Sequence, residues 1–405
     1  MLTLISEFSV TLEHSKEKIH EEKEAEKPSH VASLSDSFFT LCRNITVEPV
    51  TFLYACAMIL HAPIIQQYVY SRVTEKQGLS TLFYQSEASQ CDAVDTMDSA
   101  SFRQTKNLIQ SEASIIHLGI VLSASLPSIF MALLLGAWSD KVGRKIIMML
   151  PVIGGLIDTV FILTTMYADL PIYTLFIGSF INGFCGFFPT MILAIFSYIA
   201  DITVESKRAL HLGIIEAIAF LSGMVSHLTS GWWIKHLGFT SPYWLIFGLH
   251  MVNLAYVTFI LRETIHLPEK KTFSTLFDKA HFKRILHVFT AAKEDRKWQL
   301  SGLMLASAFM MVSSIGFGSV IVLYALDTPF CCSPIMIGYF LADSMFLQAI
   351  GAMIGFFVLR RCMSEMTLTQ LGFCSMVASL IMMAFITTKL LMFIGTYLFV
   401  PVQKK

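Results

Sequence analysis

Apolar residues in this chain come in long runs that short polar stretches separate. A membrane-spanning α-helix needs about 20 mainly apolar residues. Nine runs reach that length, and a tenth of thirteen residues follows them. The runs cover residues 47–70, 114–137, 146–167, 172–200, 209–234, 242–261, 299–326, 334–359, 367–388 and 390–402. The pattern therefore predicts an all-α membrane protein with about nine to ten transmembrane helices.

Composition supports a surface that faces lipid. Hydrophobic residues make up 55% of the chain and charged residues 14%, with a mean hydropathy of +0.64. Soluble domains have roughly 45–50% apolar and about 25% charged residues. The net charge of zero gives no sign of nucleic-acid binding. No nucleophile triad, metal-ligand spacing or nucleotide loop is present, so we expect neither an enzyme nor a bound metal or cofactor.

The distribution of Lys and Arg predicts the topology. With the N-terminus in the cytosol, 23 of the 29 basic residues lie in inner segments, as the positive-inside rule requires. The longest inner connection after the tail follows the sixth span, as in a two-bundle transporter. We predict a cytosolic tail (1–46), a six-helix bundle (47–262), a cytosolic linker (263–298) and an incomplete second bundle (299–405).

The loop between the second and third spans carries a gating motif. It reads Gly136-Ala137-Trp138-Ser139-Asp140-Lys141-Val142-Gly143-Arg144-Lys145. This resembles the loop signature of the major facilitator superfamily, whose fold is two bundles totalling twelve helices. We expect Gly136 to permit close helix approach and Gly143 to form a tight turn. Asp140 would pair with a cation or a helix N-terminus of the other bundle, and Arg144 and Lys145 would form charge-assisted bonds.

Further stretches narrow the resemblance. The chain is similar to the proton-coupled folate transporter and its relatives in solute carrier family 46 over about 47–402, and closer to the folate branch than to its sister branches. We group Asp201 and Arg208 with the gating motif. The stretches are Val47-Glu48-Pro49, Gln67-Tyr68-Val69-Tyr70, Tyr198 to Thr203 with Arg208, Gly213 to Ala217, Ser222-Gly223, Leu323-Tyr324, Thr328 to Cys331 and Ile337-Gly338-Tyr339.

Glu216 is the strongest candidate for a proton-coupling residue. It lies inside an apolar run, where an ionisable group is costly and marks a functional site by default. Burial favours the protonated carboxyl, which suits proton pickup. The resemblance implies the same role, in proton-coupled symport of a folate-like organic anion. The alternative is a neutral carboxyl that only packs helices.

Other polar residues within the spans are weaker candidates. His61 and Tyr339 are assigned to a substrate cavity. Three histidines within the spans serve either packing or proton transfer. Asp158 and Asp343 face either the cavity or another helix. Glycine and proline interrupt the fourth span near residues 182–189. The three histidines are His117, His227 and His250.

The resemblance also implies a disulfide between Cys91 and Cys331 in outer loops, with Cys332 as an alternative partner. It departs at Ser314, where the family has a histidine, and after Val402, where we expect two of the family's helices to be missing. We expect a multi-pass protein of the plasma or endolysosomal membrane. Its partners would be a small organic anion, protons and lipid, and a homo-oligomer is one of its open assembly states. The alternatives are a truncated non-transporting isoform and a carrier of haem or small peptide-like solutes.

Overall fold

The computed structural model describes residues 46–77, 100–264, 334–354 and 365–386, together with short pieces between 298 and 332 and residues 388, 391 and 392. Most of the predicted tail and linker therefore lie outside the described residues. The seventh span and the tenth lie largely outside them too. The division of the chain into tail, bundles and linker remains a prediction.

Helices account for nearly all of the described chain, as predicted, and its described residues form no strand. Apolar segments in lipid must satisfy their backbone hydrogen bonds internally, which selects helices. Nine helices in the described part form seven spans that are long and apolar enough to cross a membrane, because two of the helices share the fourth span and the apolar part of the last helix is too short. The helices are α1 (Glu48–Lys76), α2 (Ala100–Val142), α3 (Arg144–Tyr167), α4 (Thr174–Phe184), α5 (Phe187–Ile202), α6 (Glu205–Leu237), α7 (Thr240–Ala255, continued by a π-helical turn over Tyr256–Ile260), α8 (Pro334–Ile354) and α9 (Glu365–Ala384).

The predicted interruption of the fourth span is present. α4 ends at Phe184 and α5 begins at Phe187, so the span consists of two helices. Between them Gly186 has a φ of +94°, a left-handed conformation that glycine adopts without steric cost. Asn182 lies on the last turn of α4, just before the break, and is buried.

Two helices extend beyond their predicted spans. The hydropathy pattern predicts a loop over residues 71–113, yet α1 continues to Lys76 and α2 begins at Ala100. Arg72 on the α1 extension pairs with Asp169 at 2.6 Å and with Glu75 at 3.2 Å. Hydropathy marks the part of a helix that lies in lipid, so it cannot show where a polar end of the helix stops.

Two apolar clusters fill the bundle formed by α1 to α7, and polar side chains lie between them. One cluster is near the α2–α3 turn and includes Trp138, Met148 and Tyr198. The other is near the far ends of the helices and includes Ile162 and Tyr243. The side chains between the clusters form what we call the polar layer. It consists of Asp158, Thr159, Ser179, Asn182, His250 and Asn253, each at most 5% exposed.

α6 connects this bundle to α8. It packs against both α1 and α8. We call the α6–α8 contact the seam. A Cβ atom on Gly338 of α8 would lie 2.9 Å from the backbone oxygen of His227 on α6. The two helices therefore cross closely at a glycine, near the ends opposite the α2–α3 turn.

Candidate functional site

The gating motif forms the turn between α2 and α3. Gly143 has a φ of +104°, so the predicted tight turn is present and requires glycine. Gly136 lies on α2, before the turn, and a Cβ atom there would lie 3.0 Å from Leu193 Cδ1 of α5. The close approach expected at Gly136 is thus also present, between α2 and α5.

Arg144 is the centre of an ionic network at this turn. Its Nη2 lies 2.7 Å from Asp140 Oδ1 and its Nε lies 2.9 Å from Asp201 Oδ2. Nη1 donates to the hydroxyl of Ser139. The Arg144 side chain is only 10% exposed, while that of Asp140 is 68% exposed. The guanidinium therefore satisfies its donors inside the bundle and links α2, α3 and α5.

Glu263 is a member of this network that the sequence did not indicate. It follows the sixth span, and its Oε1 accepts from the backbone N–H of Arg144 at 2.8 Å while Oε2 accepts from that of Lys145 at 3.2 Å. These N–H groups are unsatisfied donors at the start of α3, and a carboxylate there also complements the helix dipole. The position directly after an apolar run and before a basic linker was the only available signal.

Three further hydrogen bonds hold the same end of the bundle together. Lys145 Nζ donates to the carbonyl of Thr258 at 2.6 Å. Arg208 Nη2 donates to the carbonyl of Ala200 at 3.0 Å. Thr264 Oγ1 donates to Asp201 Oδ2 at 3.1 Å. The predicted gating residues Asp140, Arg144, Lys145, Asp201 and Arg208 therefore all lie at one end of the bundle.

The contact predicted between Asp140 and the other bundle is not present among the described residues. Its ion pair is with Arg144 of the same loop. The basic pair Arg360-Arg361, which lies between the eighth and ninth predicted spans, is outside the described residues. A gating role for the network therefore remains a prediction. In the structure the network connects α2, α3, α5 and the end of α7 through ion pairs and hydrogen bonds.

Glu216 lies on α6 and is half-buried, between the buried residues Ile215 and Ala217. α6 is the helix that packs on both α1 and α8. The carboxyl is thus on an element that contacts the second half of the chain, and not in the polar layer. Its assignment as the proton-coupling residue remains a prediction.

The two residues predicted for a substrate cavity lie in different settings. His61 is on α1, partly buried, with Nδ1 3.5 Å from the hydroxyl of Tyr243 on α7. Tyr339 is on α8 and 54% exposed. Asp158 and His250, which the sequence left between packing and function, both belong to the polar layer. His227 borders the seam.

Other predictions fall on residues that the structure does not describe. Cys91, Ser314 and Cys331 are among them, so the implied disulfide remains a prediction. Cys332 is described and is buried in an apolar cluster beside Phe330 and Ile337. Asp343 lies on α8 and is partly buried. In the described part of the chain, no group of three or more His, Cys, Asp or Glu side chains is arranged to hold a metal ion.

The fold matches known transporters. Residues 47–402 match the Major Facilitator Superfamily family model. A human organic anion transporter superposes with a TM-score of 0.61 at 16% identity, covering 88% of this chain and 82% of that one. A D-xylose-proton symporter superposes with a TM-score of 0.51 at 11% identity, covering 88% and 79%. Identities this low show the fold alone, which is that of an all-α membrane transporter.

Sequence relatives define the family more closely. The human lysosomal proton-coupled steroid conjugate and bile acid symporter is 30% identical over 359 residues, which is 86% of this chain and 76% of that protein. Its Gallus gallus counterpart is 29% identical over 355 residues, with the same coverage. The Rattus norvegicus proton-coupled folate transporter is 25% identical over 350 residues, covering 86% and 73%. This chain belongs to the major facilitator superfamily and, within it, to solute carrier family 46.

The expectation of greater similarity to the folate branch is not supported. The human and chicken steroid conjugate and bile acid symporters reach 30% and 29% identity, whereas the rat folate transporter reaches 25%. The short stretch around Asp201 and Glu216 suggested the folate branch. A few matched residues in one helix pair carry less information than 350 aligned positions.

Proposed function

We propose that this protein is a proton-coupled symporter that carries an organic anion by alternating access. The observation that carries the proposal is the position of Glu216 on α6, the helix shared between the first bundle and α8. A carboxyl group at such a place changes its surroundings whenever the two halves rearrange. Binding a proton there neutralises it and lowers the cost of moving it within an apolar environment.

The cargo we propose is an amphipathic organic anion. Relatives named for steroid conjugates and bile acids, and others named for folate, share this chemistry: an anionic group joined to a bulky ring system. The higher identity of the former favours a steroid conjugate or a bile acid over folate as the first compound to test. We place the protein in the plasma or endolysosomal membrane, where one side is acidic enough to supply the coupling protons.

The test uses the full chain reconstituted in liposomes with an inward proton gradient. Uptake of a labelled sulfated steroid, a bile acid and folate is measured beside the Glu216→Gln variant. We expect uptake of one anion to rise with external acidity and to fall about tenfold or more in the variant, a change equivalent to about 1.4 kcal/mol. Exchange of labelled for unlabelled cargo should persist in the variant, because exchange needs no net proton movement.

Glu112→Gln is the matched control. Glu112 lies on α2, outside the apolar part of the helix, and its carboxyl is 3.7 Å from Lys76 in an exposed pair. That variant should transport like the unaltered protein. Acid-stimulated uptake that persists in full in Glu216→Gln would overturn the coupling role. Absence of uptake of all three anions by correctly folded protein would overturn the proposed cargo class.

A further inference from the structure

The polar layer places a carboxyl group in the middle of the first bundle. Asp158 is 5% exposed and lies on α3, with the apolar clusters of the bundle above and below it along the helix. Its Oδ1 accepts a hydrogen bond from the hydroxyl of Ser179 at 3.2 Å. Asn182, which follows Ser179 on α4, lines the same cavity as this carboxyl group. The hydrogen bond from Ser179 therefore holds the carboxyl against the broken span.

Two histidines accompany Asp158 around a narrow cavity. The cavity is lined by residues of α1, α3, α4, α5 and α7, including His61, Asp158, Asn182 and His250. Its free space is about that of one water molecule. None of the residues that line it is Lys or Arg. A deprotonated Asp158 therefore has only the imidazoles of His61 and His250 as lining groups able to balance its charge.

The described part of the layer contains polar atoms whose hydrogen bonds are unmade. Asn182 Oδ1 and His250 Nδ1 are buried without a partner among the described residues. A buried polar atom needs a hydrogen-bond partner, from the protein or from water, to offset its lost hydration. These polar groups lie at a place where apolar residues would otherwise fill the bundle, which marks the layer as more than a packing contact.

Glycines make room for the polar side chains. A Cβ atom on Gly178 would lie 2.9 Å from Asp158 Oδ1, and one on Gly155 would lie 2.6 Å from His250 Nε2. A Cβ atom on Gly154 would lie 2.8 Å from Asn182 Oδ1. Three of the polar groups thus contact helix backbone directly. The backbone of α3 and α4 is shaped around them.

The other titratable groups near Asp158 lie on the helices around it. α1 contributes His61 and Tyr54. The ring centroid of Tyr54 lies 5.9 Å from that of His250. α7 contributes His250 and Tyr243, while α4 contributes only the neutral Ser179 and Asn182. On α2, His117 is close enough to His61 for an electrostatic interaction.

We propose that Asp158, His61 and His250 form a second proton-binding site, separate from Glu216 and inside the first bundle. With the proton bound the three groups together are neutral, either as a carboxylic acid with two neutral imidazoles or as a carboxylate with one imidazolium. Loss of the proton leaves one negative charge. The proposal does not depend on the cargo, because it concerns protonation of the protein itself.

Infrared difference spectroscopy of the purified protein tests the proposal directly. Spectra recorded across a pH titration show the carbonyl band of each carboxyl group that gains a proton and the ring bands of each imidazole that gains one. We expect one such band to be lost in Asp158→Asn and retained in Glu216→Gln. His250→Phe should shift the pH midpoint of that band, because it removes one of the groups that share the proton.

Ser179→Ala provides a milder variant in case Asp158→Asn does not fold. It removes a donor that binds the charged carboxylate more strongly than the neutral acid. The midpoint of the Asp158 band should therefore move to higher pH by about one unit or less. A set of bands unchanged in both Asp158→Asn and Ser179→Ala would overturn the proposal. A band that is present at every pH would also overturn it, since Asp158 would then be a permanently neutral packing group.

Discussion

The polar layer and the seam are held together by opposite means. The layer holds its polar groups through hydrogen bonds and through backbone contacts at Gly154, Gly155 and Gly178. The seam brings α6 and α8 together at Gly338, where a Cβ atom would lie 2.9 Å from the backbone oxygen of His227. At Gly223 of α6, a Cβ atom would lie 3.0 Å from Ile59 on α1 and 3.2 Å from the sulfur of Met345 on α8.

This difference separates what must stay together from what must move. Opening a buried polar contact leaves unsatisfied groups and costs roughly 1–3 kcal/mol for each. Small residues let helices approach closely in lipid, where association depends on van der Waals packing. Van der Waals contacts of this kind separate without breaking a hydrogen bond. We infer that the first bundle moves as one body and that rearrangement occurs at the seam, with Glu216 on the helix that joins the two.

The seam gives the largest expected effect. Gly338→Leu places a side chain against the backbone of His227 and keeps α6 and α8 apart. We expect uptake and cargo exchange both to fall about tenfold or more, because the closed seam is one of the states that transport requires. Loss of both activities would distinguish this variant from Glu216→Gln, for which exchange should persist.

Gly248→Leu on α7 is the matched control for the seam. A Cβ atom at Gly248 would have no neighbour within 4 Å. The control should fold and transport normally. Full transport by Gly338→Leu would show that the seam does not need its close crossing, and the distinction between the two regions would fail there.

The polar layer should respond in stability more than in transport. Gly155→Ala drives a methyl group into the ring of His250, and overpacking of this kind typically costs about 1–3 kcal/mol. We expect a lower melting temperature in detergent, which is measured by tryptophan fluorescence. Gly248→Ala should leave the melting temperature unchanged or raise it, since alanine is favoured over glycine within a helix. Equal melting temperatures for the two variants would contradict the tight packing of the layer.

The sequence predicted the fold well because the signal for membrane helices is local. Nine of the ten apolar runs are each long enough to identify a span, and the turn at Gly143 follows from one short motif. The break near Gly186 could be predicted for the same reason. Helix ends could not, because the polar extensions of α1 and α2 have no hydropathy signal.

The sites were only partly predictable because their residues come together from distant parts of the chain. Asp158 and His250 each appeared in the sequence as a single polar residue in an apolar run. Nothing local shows that α3 and α7 bring them to one cavity, or that Ser179 on α4 faces the carboxyl. Glu263 was missed for the same reason, since its partners lie about 120 residues earlier, at the start of α3.

The smallest expected effect concerns Glu263, whose network resembles the polar layer more than the seam. Glu263→Gln keeps the shape of the side chain but removes the charge that faces the start of α3. A carboxylate at a helix N-terminus typically contributes about 0.3–1 kcal/mol. We therefore expect a slightly lower melting temperature, with Glu112→Gln unchanged as the control. If Glu263→Gln instead abolished transport while keeping its stability, this end of the bundle would be a moving gate and not part of the rigid body.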